Sequence, residues 1–153
     1  MTELAPYVAV VGGSQATADQ DRAAEEVGSG LAHAGAIVVT GGRGGVMEAA
    51  SRGARLAGGI VVGLLPGTTR EEANEWVTVA LPTGLGELRN GLVVRSADVV
   101  VAVGGAYGTL SEIALALASG VPVIGLDSWP IDGIEAVTSP SQAVTRALEL
   151  TRG

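Results

Sequence analysis

The sequence predicts an α/β domain: a doubly wound parallel sheet with helices on both faces. Three observations carry that prediction. Apolar runs without alternation, such as Val99-Val100-Val101-Ala102-Val103, read as strands buried on both faces. Such runs alternate with helical patterns along the whole chain, the order that winds a parallel sheet between two helical layers. Three of the runs end in glycine-rich turns, which in a parallel sheet all emerge at its carboxyl edge. At 153 residues the chain is expected to form one domain, 1–153, large enough to bury about 70% of its unfolded surface.

The elements follow in order. Tyr7–Gly13 reads as the first strand and Asp19–Ala34 as a helix, with Arg22, Glu25 and Glu26 on its wet face. His33, near the end of that helix, suits the negative end of the macrodipole. Ala36–Gly41 is a strand, Val46–Ala57 an alanine-rich helix, and Ile60–Leu65 a strand ended by Pro66-Gly67. After the polar stretch Thr68–Glu75 comes a fourth apolar run, Trp76–Leu81, also ended by proline. Glu87–Ala97 is helical, Asp98–Gly104 a strand, Thr109–Ser119 a helix and Pro122–Leu126 a strand. Ser128–Pro140 has room for one short strand before a closing helix, Gln142–Thr151. The helical stretch Leu110–Ala118 is apolar around its whole circumference, which one sheet face cannot cover. A homodimer or higher homo-oligomer is the expected source of the remaining cover.

Composition removes several functions. There is no Cys, so thiol nucleophiles, disulfides and thiolate metal sites are excluded. All nine basic residues are arginine, which rules out a P-loop lysine and a pyridoxal-phosphate Schiff base. The net charge of −7 and the scarcity of aromatics argue against nucleic acid and anionic membranes as partners. No stretch reaches the roughly 18 apolar residues of a membrane span, and no basic residue precedes the first strand as in a secretory signal. A cytoplasmic location is the expectation. No resident cofactor and no metal site is expected from these residues.

The chemistry concentrates in the glycine turns: Gly12-Gly13-Ser14, Gly41-Gly42-Arg43-Gly44-Gly45, and Gly104-Gly105-Ala106-Tyr107-Gly108 leading into Thr109-Leu110-Ser111-Glu112. Glycine lets backbone N–H groups approach a ligand, and a following helix adds its positive end, so each turn suits a phosphate. None is a dinucleotide fingerprint: the first lacks G-x-G-x-x-G, and the second strand ends in Thr40-Gly41 without a ribose-binding acid. A mononucleotide, or a pterin carrying a phosphate, fits better. Glu112 places a carboxylate where such a site can use it, and Arg89 or Arg43 offers a guanidinium fork to the phosphate. Bland readings stand beside these. Thr109-Leu110-Ser111-Glu112 also fits a capping box, Arg43 fits a solvated surface, and turn or cap roles account for Asn74 and Asn90.

Gly104–Glu112 resembles the P-G-G-x-G-T-x-x-E motif of the LOG-like Rossmann proteins, often mislabelled lysine decarboxylases. Gly104 stands for the motif's proline and Ala106 for its second glycine. Gly41–Met47 looks like that family's other glycine loop, and Arg89-Asn90 takes the place of its Arg-Lys pair. The resemblance covers nearly the whole chain. It implies a Rossmann-like fold and cleavage of the N-glycosidic bond of nucleoside 5′-monophosphates, with Glu112 as catalytic carboxylate and Arg89 as its partner; Asn90 and the three glycine turns are the ligand-binding candidates read from the residues themselves. Thr83-Gly84-Leu85-Gly86-Glu87-Leu88-Arg89-Asn90 is more similar to the branch containing the molybdenum-cofactor carrier protein. That branch implies a non-enzymatic carrier of the pterin cofactor, and a nucleotide sensor is a third possibility. Lysine decarboxylation is excluded, since the internal aldimine needs a lysine.

Overall fold

The computed structural model describes residues 4–152. Seven strands, β1 (Tyr7–Gly12), β2 (Ile37–Thr40), β3 (Val61–Leu65), β4 (Val79–Pro82), β5 (Val99–Val103), β6 (Val123–Leu126) and β7 (Ile134–Val137), form one sheet in the order β4-β3-β2-β1-β5-β6-β7. Every pairing is parallel. Five helices, α1 (Ala18–His33), α2 (Val46–Leu56), α3 (Arg89–Arg95), α4 (Tyr107–Ala118) and α5 (Pro140–Thr151), cover it. The predicted Rossmann-like fold is the one observed.

The strands alternate between two cores. Val8 and Val10 face a layer containing α1, α2 and α5, through Ala24, Val27, Leu31, Val46, Ala50 and Ala147. Ala9 and Val11 face the opposite layer, where Val93, Val94, Ile113 and Ala116 come from α3 and α4. All five residues of β5 are buried, as a strand covered on both faces requires. The sheet reverses direction of growth between β1 and β5, so their connections leave toward opposite faces and open a crevice at the carboxyl edge.

Several boundaries moved for local reasons. β4 starts later than its apolar run because Asn74 folds a turn first: its Oδ1 accepts from Trp76 N and its carbonyl from Val77 N. The stretch expected as one helix from Glu87 opens as a 3-10 turn, Gly86–Leu88, and becomes α-helical only at Arg89. α1 begins with a capping box, Thr17 with Gln20, that the sequence reading did not single out. The capping box expected at Thr109–Glu112 is absent: α4 starts earlier, with Ala106 as N-cap, and no side chain caps it. His33 does end α1, its Nδ1 lying 2.9 Å from the carbonyl of Ser29.

The apolar circumference of α4 is only partly covered by its own chain. Leu115 is 42% exposed, and Leu88 and Leu92 nearby are 77% and 41% exposed. Among the described residues no helix is long and apolar enough to cross a membrane.

Candidate functional site

The loop after β5 presents a run of free backbone N–H groups. Gly104 and Gly105 take φ of +59° and +142°, conformations that essentially require glycine. The chain then enters α4 directly, with the Ala106 carbonyl accepting from Leu110 N at 3.0 Å. Among the described residues, nothing accepts a hydrogen bond from the five consecutive N–H groups Gly105 to Thr109. Three of them are first-turn amides, which have no intrahelical partner and sit at the positive end of the helix.

Ala106, Gly108 and Thr109 of this loop form one wall of a cleft of about 390 Å³ at the β1/β5 crevice. Gly12, Gly13 and Ser14 form the facing wall, and Glu87, Arg89 and Asn90 close one end. Thr109 is 2% exposed with its hydroxyl unpartnered, an unsatisfied group that a ligand oxygen would satisfy. A larger hollow, about 940 Å³, lies at the opposite, amino edge of the sheet, lined by Tyr7, Ile37 and Asp98. Its carboxylate Asp98 already accepts a hydrogen bond from Tyr7 N.

Glu112 also lines the cleft and is only 6% exposed. Burial pushes its carboxyl from 4.5 up to about 8, against the opposing pull of Arg89. Among the described residues, none donates a hydrogen bond to its anionic form. At neutral pH the side chain is therefore mainly the neutral acid, able to donate a hydrogen bond.

Arg89 is the first residue of α3, and burial holds its guanidinium below the ordinary arginine value. Glu112 and Glu72 pull it back up, while Arg43 pushes it further down. The guanidinium lies against Gly41, where a Cβ would stand 2.8 Å from Arg89 Cζ. Its Nε is buried without a partner, and its Nη1 donates to Asn90 Oδ1. Asn90 Nδ2 donates to Ser111 Oγ at 3.3 Å, and Ser111 Oγ to the Gly108 carbonyl at 2.7 Å. This relay ties the arginine to the glycine loop across α3 and α4.

The structure thus brings together Gly12, Gly13, Ser14, Arg89, Asn90, Ala106, Gly108, Thr109 and Glu112. Gly104 and Gly105 shape the loop from behind, and Tyr107 is 82% exposed outside the cleft. Gly41, Gly42, Arg43, Gly44 and Gly45 do not line it. That second loop supports the site instead: Gly41 seats Arg89, Gly45 packs on the backbone of Gly13 and Ser14, and Asn74 bonds the carbonyls of Gly42 and Arg43. Arg43 lies 4.0 Å from Glu72. The relay residue Ser111 was missed, because a serine in an apolar helix carries no motif. Among the described residues, no group of three or more metal-ligating side chains converges.

Fold and cleft together define a Rossmann-like α/β protein of the LOG type. Residues 5–151 match the SLOG cluster4 family, and the chain belongs to it. An uncharacterized protein of Archaeoglobus fulgidus is 38% identical over 138 residues, 90% of this chain and 91% of that one. Among solved structures, the molybdenum cofactor binding protein of the phototrophic bacterium Rippkaea orientalis superposes with a TM-score of 0.92 at 35% identity, covering 97% of this chain and 99% of its own. The molybdenum cofactor carrier protein of Chlamydomonas reinhardtii gives 0.90 at 32% identity, covering 98% and 100%.

Proposed function

We propose that the cleft binds a phosphorylated pterin of the molybdenum-cofactor type and holds it without turnover, as a carrier. The observation that carries this reading is the run of five unbonded amides, Gly105 to Thr109, beside Glu112, which is buried and whose carboxyl burial pushes up. The amides suit the phosphate. A protonated Glu112 neither repels that phosphate nor supplies negative charge to a developing ribosyl cation, so at neutral pH the site favours holding over cleaving. The likeness to carrier and binding proteins of the molybdenum cofactor supports the same reading.

A second reading, hydrolysis of a nucleoside 5′-monophosphate, is favoured by the electrostatic coupling of Arg89 and Glu112 across the cleft. Under it Glu112 must ionise to act, so hydrolysis should rise with pH through about 8. Gel filtration of the protein mixed with molybdenum cofactor, and assay of adenine release from AMP, separate the two. The carrier reading expects co-elution at one ligand per chain and no adenine. Adenine release abolished by Glu112→Gln would establish the hydrolase instead.

The same proposal includes a homodimer. Leu88 at the end of the 3-10 turn, Leu92 on α3 and Leu115 on α4 are exposed apolar side chains, and a second copy is the occupant we assign to this face.

A further inference from the structure

We infer that Ser128 and Trp129, which follow β6 and lie outside the cleft, are positioning residues that aim the amides of the glycine loop at the ligand. This rests on the reading of Gly105–Thr109 as an anion cradle. Ser128 Oγ donates to the Gly104 carbonyl at 2.6 Å, and Trp129 Nε1 donates to the Ala106 carbonyl at 3.2 Å. Across a trans peptide the carbonyl and the following N–H point in opposite directions. Tying back the carbonyls of Gly104 and Ala106 therefore fixes the directions of the Gly105 and Tyr107 N–H groups, both of them unbonded members of the cradle.

The loop needs such ties. Glycine at positions 104 and 105 gives its backbone access to conformations closed to other residues. A flipped peptide would present a carbonyl oxygen where the N–H stood, and a carbonyl oxygen repels an anion. The Ala106 carbonyl already serves the first hydrogen bond of α4, so the indole takes its second lone pair.

The strap is itself held in place. Asp127, with φ of +51°, is the one non-glycine residue among the described residues with positive φ, and its turn delivers Ser128 and Trp129 to the loop. The Trp129 ring stacks on that of Tyr107, with centroids 6.3 Å apart and planes 28° apart, so the indole rests on the residue whose amide it orients. Nothing in the sequence pattern marks these two residues as belonging to the site, because the hydrogen bonds link separate strand ends.

The test uses the full chain, labelled with ¹⁵N, with inorganic phosphate as probe. Residual dipolar couplings report N–H directions in the ligand-free protein, and a phosphate titration reports affinity. Ser128→Ala should reorient the Gly105 N–H, and Trp129→Phe, which keeps a ring on Tyr107 and leaves the α4 hydrogen bond on the Ala106 carbonyl, should tilt the Tyr107 N–H by less. The couplings of β1 and β5 should stay unchanged. Ser128→Ala should bind phosphate about tenfold more weakly, the effect of one lost hydrogen bond, and Trp129→Phe about threefold, while Ser128→Thr should keep the wild-type behaviour. Unchanged couplings at Gly105 and Tyr107 in both variants would overturn the inference, as would wild-type affinity in both. If phosphate moves no amide from Gly105 to Thr109 in the wild type, the cradle reading fails by itself. The ligand-free couplings still decide the role of Ser128 and Trp129.

Discussion

Glu112→Gln isolates the protonation state on which the functional reading depends. The carboxyl rises from 4.5 to about 8 on folding, which at about 1.4 kcal/mol per pKa unit is a difference of about 5 kcal/mol between its two forms. Because the folded value is the raised one, the folded state keeps a proton that the unfolded chain has released between those two pH values. The associated stability is fully present below pH 4.5, is lost as pH rises, and is gone above about 8. Glutamine has the same shape, stays neutral and does not titrate. Urea unfolding of both proteins at intervals from pH 5 to pH 9 should show the wild type losing about 3 to 5 kcal/mol more than the variant. Against the 5 to 15 kcal/mol typical of a domain, roughly, that loss is conspicuous. Groups common to both proteins cancel in the comparison. Parallel stability profiles would refute a neutral Glu112 and return the cleft to an ordinary carboxylate.

Other perturbations probe the remaining parts. At Gly108 an added Cβ meets nothing closer than Asn90 Nδ2 at 4.0 Å, so Gly108→Val should fold, fill the cleft mouth and weaken phosphate binding by about a hundredfold or more. Circular dichroism and titration check both halves, and normal binding by the folded variant would place the ligand elsewhere. Gly41→Ala sets a methyl 2.8 Å from Arg89 Cζ; it should cost about 1 to 3 kcal/mol and displace the arginine, and unchanged stability and phosphate affinity would show the seat to be unimportant. Light scattering should find wild type dimeric and a Leu92→Asp, Leu115→Asp double variant monomeric, whereas equal masses would remove the α3–α4 face as the interface.

The alternation of apolar runs and helical patterns made the sheet legible, since strands buried on both faces leave little else for a continuous valine run to be. The short strand β7 also fell inside the segment with room for it. Local motifs read less well. Thr109-Leu110-Ser111-Glu112 satisfies the capping-box pattern, yet the loop starts the helix at Tyr107, so Glu112 turns into the cleft instead of back to an amide. The three glycine turns look alike in sequence, but glycine serves any close approach. At Gly41 the approaching groups are side chains of the same protein, Met47 and Arg89. Ser111, Ser128 and Trp129 were invisible because their hydrogen bonds exist only once α3, α4 and the β6–β7 connection have packed together.

Calorimetric titration of the wild type and Gly108→Val with molybdenum cofactor at neutral pH, followed by mass analysis of the recovered ligand, tests the central claim most directly. The account predicts one ligand bound per wild-type chain and recovered intact, with binding lost in Gly108→Val. Equal binding by both proteins, or no binding by the wild type, would contradict it.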